Sequence, residues 1–339
     1  MQRAEILPTH TPALFDAAVE RAAQALHQGE VVALPTETVY GLAANAFDER
    51  AVRRIFEVKG RPAHNPIIVH VADLALARRC AAQWPALAEQ LAAAFWPGPL
   101  TLVLPRAPEI PDVVTAGGGT VGLRWPSHPF MQAVIRACGF PLAAPSANRS
   151  NEISPTNAEH VARSLGDRVP LIVDGGQSQV GIESTVLDLT VSPPRVLRPG
   201  MIHEESLLAV TGALDVHSGA GGGALRSPGQ LRKHYSPKAR LMMLGWRDEQ
   251  DFQRQVAVLI GGTRALEKTF VIAHTHIPLG TPVGRVSVIP HDAEAFARAI
   301  YSELHHCDAE GAEWIVVEAL PSGPEWRAIA DRLQRAASL

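Results

Sequence analysis

Several short stretches of this 339-residue chain gather side chains that could do chemistry. In KGRPAHNP, Lys59 and Arg61 flank Gly60, and Asn65 follows just ahead of the apolar run Pro66-Ile67-Ile68-Val69 and His70. A guanidinium and an ammonium two residues apart in a Gly/Pro-broken turn can grip phosphate oxygens. Arg61 would do so bidentately and Lys59 as a point charge, with Asn65 as a neutral donor. The plain alternative is a solvated loop edge, the commoner fate of a single Lys or Arg. In PTETVYGLAANA, Thr36, Glu37, Thr38 and Tyr40 precede Gly41 after a short apolar run. Hydroxyls at the C-terminal end of a strand sit where open α/β sheets bind ligands, although a strand-end turn reads equally well.

TAGGGTVGLRWPSHP places three glycines before a strand ending in Arg124, a cation suited to a carboxylate. PLAAPSANRSNEISPTN ends an apolar strand at Ala144-Pro145 and then offers Ser146, Asn148, Ser150, Asn151 and Ser154. Such short hydroxyl and amide groups could bind phosphate or ribose beside a helix N-terminus. Helix capping by Ser154 or Thr156 is the ordinary reading, and is preferred for Thr156. Ser184 and Arg198 are further polar groups at the ends of short strands. There is no G-x-x-x-x-G-K-[ST] loop, no strand-led G-x-G-x-x-G, no G-x-S-x-G and no H-E-x-x-H. The histidines of HTHIP and ELHHC lack Cys or carboxylate partners at ligand spacing and read as surface or packing residues, so no protein metal site is expected. From the residues alone, the reading is an α/β protein that binds a nucleotide or phosphate ligand.

The elements that must position these groups are legible in the periodicity. Helical spacing runs from Ala13 to Gln28 and stops at Gly29, and Val31 to Leu34 forms a strand. Asp48 caps a helix through Val58 that Gly60 and Pro62 end. Strands are expected at 67–71, 100–104, 121–125, 141–145, 171–174, 184–189 and 195–198. Helices are expected near 73–80, 86–95, 128–138, 157–165 and 204–210. From Ala213 the chain turns Gly-rich and then basic and aromatic, ending in LRKHYSP. Beyond it, ARLMMLGW, FVIAHT, RVSVIP and WIVVEAL alternate with helices near 248–260, 291–306 and 325–336. The predicted domains are therefore 1–212, a flexible linker at 213–236, and a small βα domain at 237–339.

Composition sets outer bounds. The chain is 46% hydrophobic and 19% charged with net charge −3, which gives no global case for a nucleic-acid or anionic-membrane partner. Cys80, Cys138 and Cys307 form no CxxC pair, which argues for a reducing compartment. No apolar run approaches the ~20 residues that span a bilayer, and the N-terminus lacks a signal-like apolar stretch. A cytoplasmic location is expected.

Taken in order, PTETVYGL, KGRPAHNPIIVHV, WPGPLTLVL, VGLRWPSHP, APSANRSNEISPT, STVLDL and RVLRPG resemble the YrdC-like threonylcarbamoyl-AMP synthase family over roughly residues 15–212. The SPGQLRKHYSP linker and the βα tail make the chain similar to the long, two-domain form of that family. The resemblance implies a twisted open sheet with helices around a concave, basic cleft, plus a small C-terminal Rossmann-like domain. It also implies a reaction: L-threonine, bicarbonate and ATP, with Mg²⁺, give threonylcarbamoyl-AMP and pyrophosphate, the first step toward threonylcarbamoyladenosine 37 in tRNA. The family's Lys-x-Arg falls on Lys59 and Arg61 and its Ser-x-Asn on Ser146 and Asn148, the implied catalytic set. By position, Arg61, Asn65, Thr120, Ser146, Ser154 and Arg198 would contact ATP, and Tyr235 in the linker would close over it as part of a lid. Thr38, His70, Arg124, the Ala144 backbone and Ser184 would hold threonine. The implied partners are ATP, L-threonine, bicarbonate and the proteins that pass the threonylcarbamoyl group to tRNA. Weak RNA binding is compatible with a basic cleft, and no membrane partner is implied.

Rival readings are a non-enzymatic RNA binder, a carbamoyltransferase with a YrdC-like domain, and a module that only binds nucleotide. The net charge and the lack of stacking aromatics near the basic motifs count against the first. The absence of acylphosphatase and zinc-finger regions counts against the second.

Overall fold

The computed structural model describes residues 4–216, 235–260 and 263–337. The chain divides into two compact units, one of Met1–Ser150 with Ser154–Gln230 and one of Asn151–Ile153 with Leu231–Leu339. In the first unit the strands are β1 (Glu5–Pro8), β2 (Val32–Leu34), β3 (Gly41–Asn45), β4 (Val69–His70), β5 (Leu100–Pro105), β6 (Thr120–Arg124), β7 (Leu142–Ala143), β8 (Leu171–Asp174), β9 (Thr185–Asp188) and β10 (Arg195–Arg198). The helices are α1 (Pro12–His27), α2 (Glu49–Lys59), α3 (Leu74–Cys80), α4 (Ala86–Phe95), α5 (Asp112–Thr115), α6 (Pro129–Cys138), α7 (Ala158–Leu165) and α8 (Glu204–Thr211).

These strands form one mixed sheet in the order β1-β8-β2-β3-β7-β4-β6-β5-β9-β10. Its middle strands read as unbroken apolar runs because both faces are covered. Successive residues go to opposite cores: Val32 and Leu34 pack with Ala22 and Leu26 of α1 and with Phe130 and Val134 of α6. Ala33 faces the other way, toward Val52 and Ile55 of α2 and Leu91 of α4. Each fully buried Val, Leu, Ile or Phe contributes roughly 1.5–3 kcal/mol.

The helix that leads to the KGR turn is well specified. Asp48 accepts from the amides of Arg50 and Ala51 at the start of α2, and Gly60 ends it in the left-handed region at φ 59°. Ala51, Ile55 and Lys59 lie four apart on its buried face.

In the second unit β11 (Arg240–Leu244), β12 (Thr269–Ala273), β13 (Arg285–Val288) and β14 (Trp314–Glu318) form a parallel sheet in the order β11-β14-β12-β13. They alternate with α9 (Glu249–Leu259), α10 (Thr263–Leu266), α11 (Ala293–Ala309) and α12 (Arg327–Ala337). The expected α/β class and the βα tail are what the structure has. The periodicity did not indicate β1, β3, α5 or α10, and the strands expected at 67–71 and 141–145 shorten to two residues each.

Two local expectations need correction. Neither Ser154 nor Thr156 caps α7; Asn157 does, accepting from the His160 amide, while Thr156 Oγ1 contacts His160 Nδ1. The HTHIP histidines do have a carboxylate partner, Glu318 at the end of β14. It accepts from the amides of His274, Thr275 and His276 and contacts His276 Nδ1 at 2.8 Å. Long-range strand pairing brings it there, beyond the reach of a spacing argument. Among the described residues no group of three or more His, Cys, Asp or Glu could hold a metal ion.

Of the expected linker, residues 217–234 lie outside the described residues, and with them the basic part of the expected lid. Its first residues are described: the Arg195 guanidinium pairs with Asp215 at 2.7 Å, and the Val196 amide donates to the Asp215 carbonyl. All three cysteines are buried and unpaired, and burial pushes each thiol up to about 12. No described helix is long and apolar enough to cross a membrane.

Candidate active site

The PTETVY segment links two antiparallel strands, with Leu34 of β2 opposite Gly41 of β3. Thr36 Oγ1 donates to the Val39 carbonyl, and the Val180 and Gly181 amides donate to the carbonyls of Glu37 and Thr38, so the loop is fixed from both sides. The APSAN loop runs alongside it. The Leu42 amide donates to the Pro145 carbonyl and the Ala147 amide to the Tyr40 carbonyl. At Gly41 an added Cβ would come within 3.2 Å of Ala144 Cβ, so glycine allows the two segments to approach.

Lys59 is only 2% exposed. Its ammonium donates to the carbonyls of Ser146, at 2.5 Å, and Asn148. The Lys-x-Arg and Ser-x-Asn motifs therefore meet directly. The sequence reading made Lys59 a point charge for phosphate; in this structure its donors go to the backbone of the Ser-x-Asn loop, and its first effect is to hold that loop in place. Arg61 also turns inward, with Nε donating to the Asn65 carbonyl at 3.1 Å and Nη2 to the Pro66 carbonyl at 2.7 Å. The guanidinium thus braces the turn that presents Asn65, whose Oδ1 is buried without a hydrogen-bond partner among the described residues.

A second group forms around Arg124. It stands opposite His70 in the parallel pairing of β4 and β6. Its Nη1 donates to Thr38 Oγ1 at 2.8 Å, and Nη2 lies 2.8 Å from Glu37 Oε1. That last contact is an ion pair without hydrogen-bond alignment, so Nη2 retains donor capacity. Burial would raise the Glu37 carboxyl, but Arg124 and the Ser127 amide outweigh it and hold the group below its ordinary range. His70, 4% exposed, is lowered to about 3 by burial and then by the Arg124 charge, and its Nδ1 has no partner among the described residues. It is a neutral imidazole throughout the physiological range. Ala144 directly follows β7, the strand beside β4, and its amide donates to the Ile68 carbonyl.

Of the remaining predicted residues, Arg198 meets Ser184 directly. The Ser184 hydroxyl lies 2.8 Å from Thr101 Oγ1 and accepts from Arg198 Nη2 at 3.0 Å, while Arg198 Nε donates to the Ser184 carbonyl. The Ser154 hydroxyl donates to Glu183 at 2.6 Å. Thr120, at the start of β6, lines a small cleft with Pro66, Ile68, Thr101 and Thr115. Tyr235 belongs to the second unit, where it is 1% exposed with its ring 5.9 Å from that of Tyr301 and the Arg332 guanidinium 5.5 Å from its centroid.

Sequence reasoning gave no role to Glu37, Thr101 or Glu183. Glu37 was visible inside PTET as a carboxylate between two threonines. Thr101 and Glu183 reach the site only through the β5·β9 pairing, which no short motif encodes.

Comparison with known proteins identifies the family. Residues 24–200 match the family model for Sua5, YciO and YrdC proteins, described as "Telomere recombination". Residues 202–338 match "Threonylcarbamoyl-AMP synthase, C-terminal domain". The chain is 40% identical to a threonylcarbamoyl-AMP synthase of Pyrococcus abyssi, covering 93% of this chain and 92% of that protein. It is also 40% identical to one of Bacillus subtilis, covering 95% and 93%. The solved structure of P. abyssi Sua5 complexed with L-threonine superposes with a TM-score of 0.89 at 37% identity, over 99% of this chain and 98% of that one. With matches over both units and a shared fold, the chain belongs to the YrdC-like threonylcarbamoyl-AMP synthase family, in its long two-domain form.

Proposed function

We propose that the chain is an L-threonylcarbamoyladenylate synthase, a nucleotidyltransferase that converts L-threonine, bicarbonate and ATP to threonylcarbamoyl-AMP and pyrophosphate. The observation that carries this reading is that, among the buried polar atoms with no hydrogen-bond partner among the described residues, three belong to expected site residues: Asn65 Oδ1, His70 Nδ1 and Arg124 Nη2, the last ion-paired with Glu37. Each unsatisfied buried group costs about 1–3 kcal/mol, which a polar ligand recovers. They fall on both expected subsites, Asn65 on the ATP side and His70 and Arg124 on the threonine side. That P. abyssi Sua5 was solved in complex with L-threonine supports threonine as the acceptor substrate.

In the proposed reaction the threonine ammonium first loses a proton to solvent; the free amine then bonds to the bicarbonate carbon, whose C–OH bond breaks as the hydroxyl leaves with an amine proton as water. An oxygen of the resulting carbamate then bonds to the α-phosphorus of ATP, and pyrophosphate leaves with the electron pair of the broken P–O bond. Arg124 takes the threonine carboxylate, Thr38 reads the hydroxyl end, and neutral His70, Ser184 and the Ala144 backbone complete the pocket. Arg61, Asn65, Thr120, Ser146, Ser154 and Arg198 hold the nucleotide. Lys59 and Asn148 fix the loop that carries Ser146. No covalent nucleophile is required, since positioned cations stabilise the charge that develops on the phosphates. Magnesium would enter as Mg·ATP, held by the phosphates of the nucleotide. A cytoplasmic enzyme is proposed, whose labile product passes to the proteins that modify tRNA.

The test is to incubate the chain with ATP, threonine and isotopically labelled bicarbonate and analyse the products by mass spectrometry. Label in a threonylcarbamoyl-AMP species supports the reading, and ATP binding without that product refutes it.

A further inference from the structure

Glu37 lies between two threonines in a loop fixed by backbone hydrogen bonds, and it is 3% exposed. Oε1 accepts from the Ser127 amide at 3.1 Å and faces Arg124 Nη2 at 2.8 Å. Oε2 is buried and has no hydrogen-bond partner among the described residues. A carboxylate oxygen withdrawn from water in this way is costly unless a donor reaches it. The loop cannot easily move it back to solvent, because the Glu37 and Thr38 carbonyls are held by the amides of Val180 and Gly181.

The charge balance narrows what the ligand can be. Glu37 and Arg124 form a buried pair of zero net charge. A ligand carrying only a carboxylate would bring a second anion beside Arg124 and leave the pocket with one uncompensated negative charge. A zwitterion satisfies both partners, its carboxylate at the guanidinium and its ammonium, with three N–H donors, at the carboxylate.

Resting on the synthase reading, we propose that Glu37 is the ammonium-recognition residue of the acceptor site. The Glu37–Arg124 pair is matched to the zwitterion of an α-amino acid, with Glu37 Oε2 as the atom that reads its nitrogen. The pair would then select the amino acid over its deaminated counterpart before any chemistry occurs.

The experiment is calorimetric titration of the full chain at neutral pH with L-threonine and with 3-hydroxybutyrate, which lacks only the amine. A charge-assisted hydrogen bond is worth about ten- to a hundredfold in affinity. Wild type is expected to prefer threonine by at least about tenfold. Glu37→Gln keeps the size of the side chain and is expected to weaken threonine by a similar factor. Its two ligand affinities should come within about threefold of each other while ATP affinity stays at the wild-type value. A purely structural role for Glu37 would not alter the ratio between the two ligands. Glu37→Gln that melts at the wild-type temperature yet keeps the wild-type ratio overturns the proposal. If that variant fails to fold, the wild-type comparison decides, and equal affinity for threonine and 3-hydroxybutyrate overturns the proposal on its own. A wild-type chain that binds ATP but no threonine would remove the synthase reading and this inference together. Threonine binding without discrimination removes this inference alone.

Discussion

The ammonium of Lys59 lies 2.5 Å from the carbonyl oxygen of Ser146, a residue 87 positions further along the chain. It donates to the Asn148 carbonyl as well, so one buried cation ties the end of α2 to the loop of the second motif. A lysine on a solvated loop edge would contribute little, but here its removal strands buried carbonyls. Lys59→Met, which keeps the apolar stem, is expected to lower stability by about 2–3 kcal/mol in urea unfolding. It should also slow pyrophosphate formation by about 100-fold through the displaced loop.

Arg61 is predicted to be irreplaceable by lysine. Its fork donates from two nitrogens to the carbonyls of Asn65 and Pro66, a geometry that a single ammonium does not reproduce. Arg61→Lys should raise KM for ATP by about tenfold or more, with little change in KM for threonine. Steady-state kinetics with each substrate varied in turn would show the difference.

The ends of α2 are separately testable, Asp48 away from the site and Gly60 inside the KGR turn. Asp48→Ala removes the N-cap acceptor of Arg50 and Ala51 and should cost about 1 kcal/mol. Gly60→Ala places a side chain in the left-handed region and should cost about 1–2 kcal/mol. Because the two sites are remote from each other, their losses should add, as urea unfolding of the double variant would show.

Acid should weaken the fold in a defined window. The His70 pKa falls from 6.5 in the unfolded chain to about 3 when folded. Below pH 6.5 the unfolded chain therefore takes up a proton that the folded chain refuses, and stability declines as pH drops toward 3. The slope from this one group is at most about 1.4 kcal/mol per pH unit. Glu37 acts in the same direction at lower pH. Its folded carboxyl is depressed below 4.5, so its contribution is present above that value and is lost as pH falls through the folded value. His70→Gln should flatten the decline between pH 6.5 and 4.5 in a pH series of urea melts, and an unchanged slope would contradict this assignment.

Much of this architecture can be read locally. The start and end of α2 are specified by Asp48 and Gly60, and the alternation of short apolar runs with helices indicates both sheets. The inward turn of Lys59 was also legible, because Ala51, Ile55 and Lys59 share one face of the helix, and a lysine on an apolar stripe is a buried lysine. A turn-centred view of KGR missed this, since it treated the helix as ended before Lys59. What could not be read were the meetings that depend on strand order. Ser184 joins Thr101 because β5 pairs with β9, and His70 stands beside Arg124 because β4 pairs with β6. Short two-residue strands such as β4 and β7 carry no periodicity, and their length is set by the neighbours they pair with.

The most direct test of the central claim is pyrophosphate release from ATP by the full chain, with threonine and bicarbonate each omitted in turn, for wild type and Arg61→Ala. Release should require both co-substrates and fall by about 100-fold in the variant. Release that continues without threonine, or ATP binding with no release under any combination, would contradict that claim.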